Sequence, residues 1–307
     1  MKANDIILGI VFSSQTTLGI LGNSFLACLF IIMLLTGNRL RPIDTIFAQL
    51  ASFNSLLLLS NGLPQTMATL GLNNFFNANG CIILFYIHRV SRGLSLSSTC
   101  LLSGFQAITI CPKGSWWAEV KARAPKYIMP ISCLSCITHL LLNIIVFVKF
   151  KNHQAPRNSS TLPDFGYCSS LKDTNIADVR FGVVVSLRDA LLVSLMVFAS
   201  GYMILFLHQH HKQHQHLYVT NLSPRPSPLN RATQSVLLLV STFVCFYALN
   251  SILISYMYLR KRKLWLMQCS TFLSIGFPTF SPFVLISSDS QFLKYCHRLW
   301  GKNAPHL

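Results

Sequence analysis

Three basic side chains interrupt one long apolar run. The stretch 81–112 reads CIILFYIHRVSRGLSLSSTCLLSGFQAITICP and carries His88, Arg89 and Arg92. With Phe85 they fall at i, i+3, i+4 and i+7, which is one face of a helix. Arginine offers a rigid fork of N–H donors that matches a carboxylate or a sulfate. A neutral or basic group on this face disfavours an ammonium ligand and tolerates an anion. The acid clearly inside an apolar run is Asp189, beside Arg188. Two uses of these charges stay open. Arg89 or Arg92 pairs structurally with Asp189, with Arg188 competing, or they contact a ligand. Tyr247, Asn250 and Phe277 could add polar and apolar walls to a pocket there. Catalysis lacks its parts: there are no paired carboxylates, no G-x-S-x-G, no phosphate loop and no zinc signature. No catalytic residue, metal or cofactor is expected. Cys133 and Cys136 form a C-x-x-C pattern, but zinc needs two more ligands and a redox pair needs a soluble fold. The histidine run at 208–216 reads as a solvated helix extension rather than a metal site.

The helix holding that basic face must be long. About 28 residues give about 42 Å, more than the roughly 30 Å hydrocarbon core of a bilayer. Charges at that depth cost about 2.5 to 3.5 kcal/mol each on insertion scales, so they should face a protein interior or a wet cavity. The totals agree with a membrane setting. The 307 residues are 52% hydrophobic and only 11% charged, against about 25% charged in a soluble domain. At about 20 residues per span plus loops, seven spans fit the length. They are expected near 6–35, 43–70, 81–110, 127–148, 179–207, 232–258 and 264–286, with a tail over 287–307. The expectation is an all-α membrane protein, one seven-helix domain over 1–307. The apolar run at 6–35 is too long for a signal peptide's apolar region, so the first span is expected to act as its own insertion signal. A net charge of +17 fits membrane-flanking Lys and Arg. Nucleic-acid binding would need a soluble basic face with aromatics, and none is visible.

Local signals place the remaining parts. Gly22-Asn23-Ser24 lets the first span approach a neighbour, with Asn23 bonding across. Pro64 is expected to kink the second span. The loop 149–178 holds the glycosylation sequon at Asn158 and then Cys168. Lys and Arg are nearly balanced between the two sides, so the charge rule does not orient the chain. Asn158 and Cys168 do: both suit the lumenal or extracellular side. The N-terminus is therefore expected outside and the tail in the cytoplasm. A second sequon at Asn221 would then lie in the cytosol, unmodified. Cys296 in the tail is a candidate palmitoyl acceptor, with the unmodified thiol as the expected state.

The chain resembles the vomeronasal type 1 (pheromone) receptor family of G-protein-coupled receptors. The residues carrying this are Gly19-Ile20-Leu21-Gly22-Asn23-Ser24-Phe25, Leu40-Arg41-Pro42 and Leu63-Pro64-Gln65-Thr66-Met67-Ala68. Further on come His88-Arg89-Val90, Phe105-Gln106-Ala107-Ile108, Arg123-Ala124-Pro125-Lys126, Gly166-Tyr167-Cys168, Arg231-Ala232-Thr233-Gln234 and Ser281-Pro282-Phe283-Val284-Leu285-Ile286. The resemblance implies a multi-pass plasma-membrane receptor for a small pheromone-like molecule, coupled to a heterotrimeric G protein. It implies a disulfide between Cys81 and Cys168. Helical spacing and charge, rather than the resemblance, make Phe85, His88, Arg89, Arg92, Arg188, Asp189, Tyr247, Asn250 and Phe277 the candidate ligand-contacting set. The resemblance puts Gln106, Lys121, Arg123 and Arg231 on the G-protein side. Gln106 stands where the wider rhodopsin-like class has its arginine, and Asn54 where that class has a sodium-holding Asp. Two alternatives remain open. A receptor-like chain without signalling is compatible with the basic cluster at 260–263 and with Ser135. A small transporter would line a pathway with the buried charges, but no internal repeat supports it.

Overall fold

The computed structural model describes residues 3–37, 41–72, 76, 78–110, 115–144, 176–215, 228–259 and 264–288. The regular structure of these residues is helical. The helices are α1 (Ala3–Leu35), α2 (Pro42–Leu57), a π turn (Leu58–Gly62), α3 (Leu63–Thr69), α4 (Ala78–Ile110), α5 (Ser115–Asn143), α6 (Ile176–Gln215), α7 (Pro228–Leu259) and α8 (Leu264–Ser288). The segment α2–π–α3 is the second span, so the helices supply seven segments long and apolar enough to cross a bilayer.

Apolar side chains point both ways. Leu26, Ile46, Leu50, Leu96, Leu102, Met196, Met203 and Leu239 are buried between helices, whereas Leu21, Leu134, Leu187 and Phe198 are exposed on the outer faces. A water-soluble bundle would turn polar residues outward. Here lipid is as apolar as the core, so the outer faces need no polarity. Helix α4 is central and packs against α2, α5, α6 and α7.

Prolines interrupt helical bonding, and neighbouring polar groups answer them. Pro64 lacks the N–H that would bond the carbonyl of Ser60. The helix meets the expected interruption with the π turn over Leu58–Gly62. Gly62 sits so close to α1 that an added Cβ would stand 2.6 Å from Thr16 Oγ1. In α8, Pro282 leaves the carbonyl of Pro278 without its i+4 donor. Asn23 Nδ2 donates to that carbonyl at 2.8 Å, and to the Gly19 carbonyl at 2.7 Å. This is the cross-helix bond expected of Asn23. Ser281 Oγ points at the same carbonyl at 3.4 Å, receives Asn54 Nδ2 at 2.8 Å, and Asn54 Oδ1 receives Ser95 Oγ at 2.7 Å. Four spans, the first, second, third and seventh, thus meet through one buried polar chain.

Two boundaries differ from expectation. The helix of the fourth span begins at Ser115, and its candidate span at Ala118, rather than near 127, because the basic stretch 115–126 continues the helix, with Arg123 reaching back one turn to Glu119 at 2.6 Å. Pro125 and Pro130 lie inside that helix. The helix of the fifth span continues to Gln215, beyond the span's end at Gln209, so most of the histidine run is a helix extension, as expected.

Replacing Asn54 by Ala removes two interhelical bonds and strands the Ser95 and Ser281 hydroxyls. At about 0.6 to 1.7 kcal/mol per bond within a membrane, the solubilised protein should unfold several degrees lower than wild type. A thermal melt followed by a thiol-reactive dye checks this, with Ser55→Ala, outside the chain of bonds, as control.

Candidate ligand site between the second, third, sixth and seventh spans

Helix α4 brings Arg92 and Ser95 to the bundle axis, α7 brings Phe243, Tyr247 and Asn250, and α8 brings Phe277. Together with Leu57, Phe246, Leu273, Ser274 and Pro278 they line a cavity of about 30 Å³. Four residues expected around a ligand, Arg92, Tyr247, Asn250 and Phe277, therefore share one cavity. The Arg92 guanidinium lies 5.2 Å from the Tyr247 ring centroid, a cation–π distance. Phe243 stacks 5.9 Å from Tyr247 and meets Phe277 edge-on at 4.6 Å. Asn250 Oδ1 accepts Ser270 Oγ at 2.5 Å, linking the sixth and seventh spans.

The buried acid is engaged elsewhere. Asp189 is 6% exposed and takes Arg188 Nη2 on Oδ1 at 2.6 Å. Its Oδ2 accepts the Tyr247 hydroxyl at 3.1 Å. Of the three arginines that could reach this carboxylate, Arg188 holds it. Arg92 has no carboxylate partner among the described residues. Arg188 also donates Nη1 to His139 Nδ1 at 3.0 Å, and His139 Nε2 meets Ser97 Oγ at 2.8 Å. Arginine can only donate, so Nδ1 accepts and the ring is the neutral tautomer with its proton on Nε2, given to Ser97. This belt runs from Ser97 on α4 through His139 on α5 and the Arg188–Asp189 pair on α6 to Tyr247 on α7. It holds four spans at one level.

The shared face on α4 diverges at its outer turns. Arg89 stacks over Phe85, 5.7 Å from the ring centroid, and Phe85 is itself 42% exposed. His88 Nδ1 is buried without a hydrogen-bond partner among the described residues. None of these three lines the cavity. Cys81 is disulfide-bonded, while Cys168 and Asn158 lie outside the described residues. On the Arg123 face, Gln106 is buried and its Nε2 points at Thr233 Oγ1 of α7 at 3.4 Å. Lys121 Nζ donates to the Thr109 carbonyl at 2.5 Å. The Arg123 side chain is exposed and paired with Glu119. Arg231 lies on α7, and its side chain is outside the described residues. Cys133 and Cys136 are free thiols.

Sequence reasoning missed His139 and Ser97. A Cβ on Gly93 would stand 2.2 Å from His139 Nδ1, so only glycine lets α5's imidazole reach across to Ser97. A histidine in an apolar span was the available signal, and its partner on α4 had no signal at all.

A model of the vomeronasal organ pheromone receptor family matches residues 6–298. The chain belongs to this family. Vomeronasal type-1 receptor 1 of Gorilla gorilla gorilla is 41% identical over 290 residues, 94% of this chain and 82% of that one. Vomeronasal type-1 receptor 4 of Homo sapiens is 40% identical over 297 residues, 96% and 98% of the two chains. Olfactory receptor class A-like protein 1 of Danio rerio is 33% identical over 290 residues, 93% and 90%. The protein is thus a multi-pass vomeronasal-type chemosensory receptor and not an enzyme. In this vomeronasal-type receptor, the cavity and the charged belt beside it are the candidate site.

Gly93→Ala should force His139 off Ser97 at an overpacking cost of about 1 to 3 kcal/mol, with surface display falling severalfold. Adding His139→Ala should return display to the level of His139→Ala alone. Flow cytometry of a tagged receptor reads both. Full display of Gly93→Ala would contradict the contact.

Proposed function

We propose that the receptor binds a small, largely apolar ligand with room for an anionic group, such as a steroid sulfate, and passes binding to a heterotrimeric G protein. The observation that carries this is the cation left over at the cavity. Asp189 is taken by Arg188 and Tyr247, so Arg92 enters the cavity without a carboxylate. A sulfate or carboxylate on a ligand held between the aromatic walls suits that fork. A cavity of about 30 Å³ holds one or two waters rather than a steroid. Binding therefore requires the phenylalanine walls to part, and the enlarged state is the one a ligand stabilises.

The same geometry supplies a route to the other face. An anion that draws Arg92 away from the Tyr247 ring alters the Tyr247–Asp189 bond between the fifth and sixth spans. The sixth span also meets the third at Gln106 and Thr233, where the contact is long for a hydrogen bond and separates at little cost. In this reading the N-terminus lies outside and Gln106, Lys121, Arg123 and Arg231 face the G protein. Cys81 pairs with Cys168, tying the 149–178 loop over the pocket mouth, and Asn158 is glycosylated in that loop at the plasma membrane.

Arg92→Gln tests the ligand class. A charge-assisted bond of about 1.5 to 3 kcal/mol corresponds to a loss of tenfold or more in potency for a sulfated steroid. The neutral parent steroid should keep its dose-response. Unchanged responses to both, at equal surface level, would sink the assignment. Orientation has its own test. A glycosidase-sensitive mass shift should vanish in Asn158→Gln and persist in Asn221→Gln, and the reverse would invert the topology.

A further inference from the structure

A second cavity, larger than the one at the ligand site, lies on the outside of the bundle. It is a groove of about 630 Å³ between the second, third and fourth spans. Phe53, Leu101, Phe105, Ile108, Ile128 and Ile131 make its apolar walls. Tyr127 and Ile131 are 55% and 48% exposed, so the groove opens sideways to the bilayer. Gly104 lies in it, and a Cβ there would meet nothing within 4 Å. The groove runs along α5 from Arg123 to Ser135, which at 1.5 Å per residue is about 18 Å, slightly more than half the roughly 30 Å hydrocarbon core. Its length is that of one leaflet. At its end stand Arg123 and, on the same turns of α5, exposed Lys121 and Lys126 against one acid, Glu119.

We propose that this groove is a binding site for one acyl chain of an anionic phospholipid from the leaflet on the Arg123 side, with the headgroup on the Lys121, Arg123 and Lys126 cluster. The length and the apolar walls suit a chain lying along the third and fourth spans. The basic rim selects the headgroup, because juxtamembrane Lys and Arg attract anionic lipid. Lys121 already donates to the Thr109 carbonyl, so a headgroup there also bears on the joint between the third and fourth spans. The site is separate from the ligand cavity, and its occupancy does not depend on which ligand the receptor binds.

Photolabelling tests it. The full-length receptor is placed in nanodiscs of neutral phosphatidylcholine containing a trace of phosphatidylserine with a diazirine in its acyl chain, and labelled peptides are mapped by mass spectrometry. Labelling should concentrate on peptides within 94–108 and 120–135, and unlabelled phosphatidylserine should compete at least fivefold better than phosphatidylcholine. Gly104→Phe fills the groove and should cut labelling at these peptides at least fivefold. Gly104→Leu serves in its place if the larger variant lowers the thermal midpoint. Arg123→Gln should make the two lipids compete alike. Equal competition in wild type, or undiminished labelling in the groove-filled variant, would overturn the site. Displacement by cholesterol in preference to phosphatidylserine would assign the groove to a sterol and overturn the phospholipid.

Discussion

In a bilayer no water answers a backbone carbonyl that loses its helical donor. The Pro278 carbonyl is such a group, because Pro282 brings no N–H to it. Its satisfaction by Asn23 is the contact on which the helix arrangement depends. One side chain closes the bond, and the first and seventh spans must lie together for it to form. Ser281, next in the same broken turn, passes the connection on to Asn54 and Ser95. The proline break in α8 thus becomes the junction of four spans. Small residues make the approach feasible. Gly22 lies against Pro282, where a Cβ would come within 2.8 Å of the ring.

A second polar system sits toward the other side of α4. The His139, Arg188, Asp189 and Tyr247 belt obeys the same rule for side chains, since buried charges must be paired and bonded. Its consequence for function is indirect. By engaging both carboxylate oxygens of Asp189, Arg188 and Tyr247 leave Arg92 as the cation in the cavity. Arg89, Arg92 and Arg188 all lie within the third and fifth spans, and Asp189 is the one acid those two spans supply among the described residues. The pairing decides which arginine is structural and which faces the cavity.

Much of the architecture was legible without coordinates. Long apolar runs named seven spans, Pro64 marked a break in the second, and Asn23 announced a cross-helix bond. Boundaries were less legible where charge and helix coincide. The basic stretch 115–126 looked like a loop because its composition is polar. It is helical because the Glu119–Arg123 pair and good helix formers continue α5 beyond the apolar part. Periodicity also over-reached on α4. Phe85, His88, Arg89 and Arg92 share a helical face, yet that face is longer than the cavity. Arg89 turns to Phe85 while only Arg92 reaches the site.

What the sequence by itself determined is local and one-dimensional: the number and rough extent of the spans, the presence of cations inside them, the proline breaks, and the family. Those follow from hydropathy, periodicity and residue order, which a single chain displays directly. Tertiary structure alone decided the partners. Gly93 faces His139, Asp189 takes Arg188 rather than Arg89 or Arg92, and Gln106 meets Thr233 across 127 positions of the chain. Such choices depend on how helices rotate and approach one another, and no local pattern encodes that rotation. It is set by the sum of close contacts and satisfied polar groups across all seven spans.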